Sequence, residues 1–231
     1  MKAHAITIVD NEISEKGYDK LSKSFFNVKN EMGLSMFEAI TPKNVDKVML
    51  KHNIKWNYPW EGSVVDFATG LKKSAYVTKN QKARMACAMS HYLLWRQCYE
   101  TNEALIILEH DALFLTRIDF RDEETGFNIV GLNNPKGCTR KSQLYYDRIN
   151  ESPQPFQLAP YIDDDYKVPQ GLAGNSAYMI KPKGAEQMLT LVQNYGLWPN
   201  DAIMCRQLVK GLGVSKKFYT TVQRLQSTTT T

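Results

Sequence analysis

The chain has 231 residues and a mass of 26.4 kDa, with 43% hydrophobic and 23% charged residues and a formal net charge of +5. Aromatic residues at 11%, beside 13 Gly and 9 Pro, exclude a disordered or collagen-like chain, and the length fits one larger globular domain or one domain with an appended lobe. The longest purely apolar run, Ala104 to Leu108, is far below the roughly 18 residues of a membrane span.

Ala3 to Val9 is apolar and β-branched and ends at the turn formers Asp10-Asn11, which predicts a buried first strand. The same N-terminus lacks a signal-peptide core and cleavage site, so the expected location is cytoplasmic. Tyr18, Leu21, Phe25 and Val28 recur at helical steps and predict a helix from Ser14 to about Met32. Met36 to Ile40 reads as a second strand, and Thr41-Pro42 as the N-cap and first-turn proline of a helix over Val45, Val48 and Met49. The Trp-, Pro- and Gly-rich stretch Asn53 to Ser74 reads as a loop, and Asn80 to Tyr99 as a long helix carrying Cys87 and Cys98. The four cysteines are dispersed, with no Cys-x-x-Cys pair, which argues against a disulfide or zinc framework.

Glu103 to Leu108 and Phe127 to Leu132 predict strands. Residues 138–169, with Pro153, Pro155, Pro160 and Asp163-Asp164-Asp165, read as a long irregular insertion. Asn175 to Ile180 alternates like a strand, Lys183 to Asn194 and Asp201 to Lys210 read as helices, and Val214 to Val222 closes as a strand. Strands alternating with helices predict one α/β domain over 1–226, a sandwich around a mostly parallel sheet, with a frayed tail at 227–231.

Charge is unevenly placed. Phe67 to Tyr99 holds no acid but carries Lys72, Lys73, Lys79, Lys82, Arg84 and Arg96. Thr125 to Tyr146 is likewise acid-free, with Lys136, Arg140 and Lys141, and the segment between the two is acidic. Such alternation suits a polyanion handled with a bound cation, or else a solvated surface with uneven charge.

The sharpest signal is the run Leu105-Ile106-Ile107-Leu108-Glu109-His110-Asp111. A continuous apolar run marks a central strand buried on both faces, and ligands bind beyond the carboxyl ends of such strands. Residues i and i+2 project to one side, so Glu109 and Asp111 can act together as hard oxygen ligands for Mg²⁺ or Mn²⁺. A solvated turn is the competing reading. A helix starting near Asn80 aims its N–H groups, with Lys82 and Arg84, at an anion, and Ser90, His91 and Trp95 follow on it. Ordinary helix packing is the alternative for His91 and Trp95.

The order Cys87-Ala-Met-Ser90-His91-Tyr-Leu-Leu-Trp95, then Leu105-Ile-Ile-Leu-Glu109-His-Asp111-Ala112, resembles glycosyltransferase family 25. Further similarity lies in Phe37-Glu38-Ala39, Gly174 to Ala185 and Pro199-Asn200-Asp201. Two positions depart from the family pattern: Arg84 stands where Glu is usual, and His110 where Asp is usual. Glu109-His-Asp111-Ala with the ending Phe218 to Gln223 looks most like family members carried by large tailed bacteriophages, which would place the protein in host cytoplasm.

The resemblance implies a GT-A-like nucleotide-sugar fold, a UDP-linked donor and a divalent metal, Mn²⁺ or Mg²⁺, on Glu109 and Asp111. Lys82, Arg84, Ser90 and His91 are then expected at the donor. An inverting transfer needs a base, for which Asp201 is the candidate; a helix N-cap is its alternative role, and Asp163, Asp164 and Asp165 compete. The expected acceptor is a modified base in DNA, on the basic stretches and Trp56, Tyr58 and Trp60 as stacking groups, or else a saccharide. A non-catalytic sugar-nucleotide-binding module is distinguished by the absence of donor hydrolysis. A metal-dependent nuclease or phosphatase is distinguished by phosphate or strand cleavage without sugar transfer.

Overall fold

The structure, a computed structural model, describes residues 1–138, 141–226 and 228. Arg140 and all of the expected tail except Thr228 lie outside the described residues. In chain order the elements are β1 (Lys2–Thr7), α1 (Glu12–Asn27), β2 (Leu34–Glu38), α2 (Val45–Lys51), β3 (Ser63–Val65), β4 (Lys72–Ser74) and α3 (Gln81–Thr101). They continue as β5 (Leu105–Glu109), β6 (Ala112–Phe114), β7 (Ile129–Gly131), α4 (Ser142–Glu151), β8 (Phe156–Leu158) and β9 (Ala177–Ile180). The chain then forms α5 (Pro182–Tyr195), α6 (Asn200–Ile203), β10 (Leu212–Ser215) and β11 (Thr220–Val222).

A central sheet has the order β2-β1-β5-β9-β7-β10-β8. β1 runs parallel to β2 and β5, and β7 parallel to β10. β9 enters antiparallel between β5 and β7, and β8 is antiparallel to β10 at the edge. The α/β sandwich read from the sequence is present, and its sheet is mixed. Leu105 and Ile107 of β5 face a core shared with Met89 and Trp95 of α3 and Met188 of α5. Ile106 and Leu108 face the other side, with Leu21 and Phe25 of α1. This period-two alternation carries the next residue, Glu109, to the α3 face.

Several local expectations need correction. The insertion at 138–169 is not irregular throughout: Tyr145 and Ile149 sit one helical turn apart on α4 and are buried, and β8 closes the sheet edge. The helix expected over Asp201 to Lys210 stops at Ile203, where the chain turns to pair Cys205 with Gly171. The closing strand divides, because β10 pairs with β7 and β8 whereas β11 leaves to pair with β6. α2 begins at Val45 rather than after Thr41; Thr41 N–H donates to the Asn44 side chain at 2.8 Å, closing a turn ahead of the helix.

The loop at 53–74 contains the β3–β4 hairpin, anchored by Lys73, which is 3% exposed. Its ammonium pairs with Asp66 at 2.9 Å, donates to Asn57 O at 2.9 Å and lies 4.7 Å over the Trp198 ring. A buried lysine this well partnered belongs to the scaffold rather than to a surface field.

Gly17 of α1 lets the acidic turn dock on that helix. A Cβ there would lie 2.8 Å from the His110 carbonyl oxygen and 2.8 Å from Leu225 Cδ1. Alanine normally favours a helix, but here the neighbour is backbone and must shift. Gly17→Ala should therefore destabilise the fold by about 1–3 kcal/mol in urea unfolding. A stability gain instead would show that the turn is not held against α1.

Candidate active site

β5 ends at Glu109, and the chain turns through His110 and Asp111 into β6. Beyond this end opens a cleft of about 610 Å³, lined among others by Arg84, Glu109, Asp111, Asn175 and Asp201. Gln223 braces the turn: its backbone N–H donates to Asp111 O at 2.8 Å, and its amide donates to His110 O and Ala112 O.

Glu109, 29% exposed at its side chain, accepts from His91 Nε2 at 3.2 Å. A carboxylate only accepts, so Nε2 carries the proton. Nδ1 then accepts from the Tyr178 hydroxyl at 2.8 Å, whose oxygen accepts from Trp95 Nε1 at 2.7 Å. His91 and Trp95 are both fully buried and reach Tyr178 of β9 from successive turns of α3. They therefore aim Glu109, and of the two His91 also lines the cleft. Burial would raise the Glu109 carboxyl, but the hydrogen bond from His91 and the nearby Arg84 charge outweigh it and hold it below its ordinary value.

Asp111 behaves oppositely. Burial and the Glu109 charge push it up to about 7, against a hydrogen bond from Ser176. Its Oδ1 is buried without a partner. Two adjacent carboxylates, one with an orphaned oxygen and a raised pKa, fit a hard divalent cation. Cys87 Sγ, His91 nitrogen and a Glu109 oxygen also lie within 4.8 Å of one another. That trio fits less well, because burial keeps the Cys87 thiol protonated and both imidazole nitrogens are engaged.

On the other wall, Asp201 lies inside the first turn of α6, whose N-cap is Pro199, so it does not cap the helix. Its carboxylate is hydrogen-bonded by Tyr76, and its Oδ1 is buried without a partner. Burial raises its pKa; Arg84 and Tyr76 pull it down, and Glu109 adds to the rise. Arg84 stacks on Tyr76, with Cζ 4.8 Å from the ring centroid, and leaves its Nε buried and unpartnered.

The other expected residues fall differently. Lys82 is not brought to the cleft: it is 54% exposed and pairs with Asp46 of α2 at 2.5 Å, because it lies on the outer face of α3. Ser90 is fully buried at the cleft floor, donating to Ala86 O and accepting from Ile40 N–H, so it ties α3 to the chain after β2. Asp163 pairs with Lys141, and none of Asp163, Asp164 and Asp165 lines the cleft. Trp56 and Trp60 stack on each other at 4.8 Å and Tyr58 is buried, so none of the three lines the cleft.

Sequence reading missed Tyr76, Asn175, Ser176 and Tyr178. The signals for the last three were the small-residue turn Gly174-Asn175-Ser176 opening a strand and the family resemblance over Gly174 to Ala185. Gly174 has φ +86, and a Cβ there would meet Asn133 Nδ2 at 2.7 Å and Cys138 Sγ at 2.8 Å. Among the described residues, no helix is long and apolar enough to cross a membrane.

The sequence model of glycosyltransferase family 25 (LPS biosynthesis protein) matches residues 15–204, from α1 through α6. A comparison with curated proteins finds no match. The matched span holds Arg84, Glu109, Asp111, Asn175 and Asp201 of the cleft and leaves out only lining residues before 15 and after 204, and the chain belongs to glycosyltransferase family 25: it is a glycosyltransferase.

Proposed function

We propose that the protein moves a sugar, with inversion, from a UDP-linked donor to a saccharide hydroxyl in the cleft beyond β5. The observation that carries this reading is a set of buried, unpartnered polar atoms facing one cavity: Asp111 Oδ1, Arg84 Nε and Asp201 Oδ1. Orphaned buried groups are costly, and they persist where a polar ligand satisfies them. The UDP-linked donor rests on the family alone.

Glu109 and Asp111 would hold the divalent ion, Mn²⁺ or Mg²⁺, which when bound supplies Lewis-acid neutralisation of the leaving diphosphate. His91, fixed through Tyr178 and Trp95, keeps Glu109 ionised and oriented. Arg84 offers its unpartnered Nε–H to an anionic oxygen. Asp201 takes the proton from the acceptor hydroxyl through its free Oδ1, with Tyr76 holding the carboxylate in place.

A saccharide acceptor is favoured over DNA because three of the six cations in the first acid-free stretch are already paired with acids. Lys73 is buried against Asp66, Lys82 is paired with Asp46, and Arg96 with Glu100. The test is mass spectrometry after incubating UDP-sugars and Mn²⁺ with oligosaccharides and with duplex DNA. Slow donor hydrolysis and a mass gain on a saccharide are expected. Absence of binding and hydrolysis with every sugar nucleotide and divalent ion would overturn the reading. Duplex binding that falls steeply with salt would move the acceptor to DNA.

A further inference from the structure

Asn175 is 7% exposed, lines the cleft, and has neither its amide oxygen nor its amide nitrogen hydrogen-bonded. Its position is fixed from both sides. Gly174 occupies a tight turn against Asn133 and Cys138, and Ser176 O accepts the Glu109 N–H at 2.8 Å. The Ser176 side chain also hydrogen-bonds Asp111. Asn175 thus sits one residue from the group that braces both acids, in a strand-end turn whose backbone is held on either side.

A carboxamide presents one acceptor and one donor side by side in a plane. A phosphate offers only acceptors and would leave Oδ1 unsatisfied; a metal ion would take Oδ1 and leave the NH₂ group unsatisfied. Two neighbouring hydroxyls answer both, one donating to Oδ1 and the other accepting from Nδ2. Beside the acids assigned to the diphosphate, the groups bonded directly to that diphosphate are the transferred sugar and the ribose, and each can present such a pair.

We infer that Asn175 binds a pair of adjacent hydroxyls of the nucleotide-sugar donor and so selects donors that present them. This rests on the donor assignment above. The test is calorimetric titration of wild type and Asn175→Ala with UDP-glucose, UDP-galactose, UDP and 2′,3′-dideoxy-UDP in Mn²⁺, with a melting curve of each ligand-free protein. The variant is expected to bind UDP-sugar on the order of ten-fold more weakly, since two hydrogen bonds are lost. Its ligand-free melting temperature should be unchanged or higher, because an unsatisfied buried amide has been removed.

Unchanged UDP affinity identifies the hydroxyls as those of the transferred sugar. Equal weakening of UDP, absent with the dideoxy analogue, identifies the ribose. Equal weakening of the dideoxy analogue, no change with any probe, or a markedly lower melting temperature would overturn the inference while leaving the donor assignment intact. Failure of the wild type to bind any of these probes would overturn both.

Discussion

Asp201→Asn is expected to lower sugar transfer to the acceptor by about 10²–10⁴-fold, while donor affinity stays within about three-fold of wild type. The substitution keeps the shape of the side chain and an oxygen for the Tyr76 hydroxyl, so the wall of the cleft survives. It removes the group able to take a proton. Asp201 suits that task because burial raises its pKa toward working pH, while Arg84 and Tyr76 limit the rise. Transfer by wild type should therefore increase with pH as Asp201 ionises, and the variant should lose that limb of the profile. A purely structural Asp201 predicts something else: a lower melting temperature, with donor binding and transfer falling together. Transfer within about three-fold of wild type at saturating donor and acceptor would remove Asp201 from the proton transfer.

The parts of this site that were legible in the sequence are those that local pattern determines. A continuous apolar run ending in Glu109 gives β5, and period-two alternation gives the side to which Glu109 points. Helical spacing put His91 and Trp95 on one long helix expected to start near Asn80, and Asn80 is its N-cap, accepting from Ala83 N–H at 3.2 Å. What no local pattern reports is which strand lies beside β5. β9 arrives there antiparallel from about seventy positions downstream, and with it come Tyr178, which completes the His91 relay, and Asn175.

Composition misleads in a similar way where pairing is long-range. Lys73 and Lys82 belong to an acid-free stretch, yet their partners, Asp66 and Asp46, precede that stretch. Short elements were lost for a different reason. Pro153 and Pro155 punctuate the segment between α4 and β8, and a three-residue strand such as β8 is defined by its neighbour β10 rather than by its own sequence.

In the absence of divalent cations, Asp111→Asn should make the protein more stable than wild type, by a margin that widens as pH rises from about 4 to about 7. The folded protein holds Asp111 protonated up to about 7, because of burial and the Glu109 charge, whereas an unfolded chain releases that proton near 4. Between those values the native state binds more protons than the unfolded state, so raising the pH costs stability, and the cost is fully present above about 7. Asparagine cannot ionise and escapes it. Mn²⁺ should reverse the order: it stabilises wild type by mass action and has little to bind in the variant, which should also lose donor hydrolysis. Because the ion must displace a proton below about 7, its affinity for wild type should climb with pH and level off above that value. Thermal melts of both proteins at pH 5 and pH 8, with Mn²⁺ or a chelator, read all of these effects at once. If the variant melts below wild type at pH 8 in chelator, the Asp111 charge is already compensated by the protein itself. Equal stabilisation of both proteins by Mn²⁺ would place the ion elsewhere, and the acid pair beyond β5 would lose its assigned part in donor chemistry.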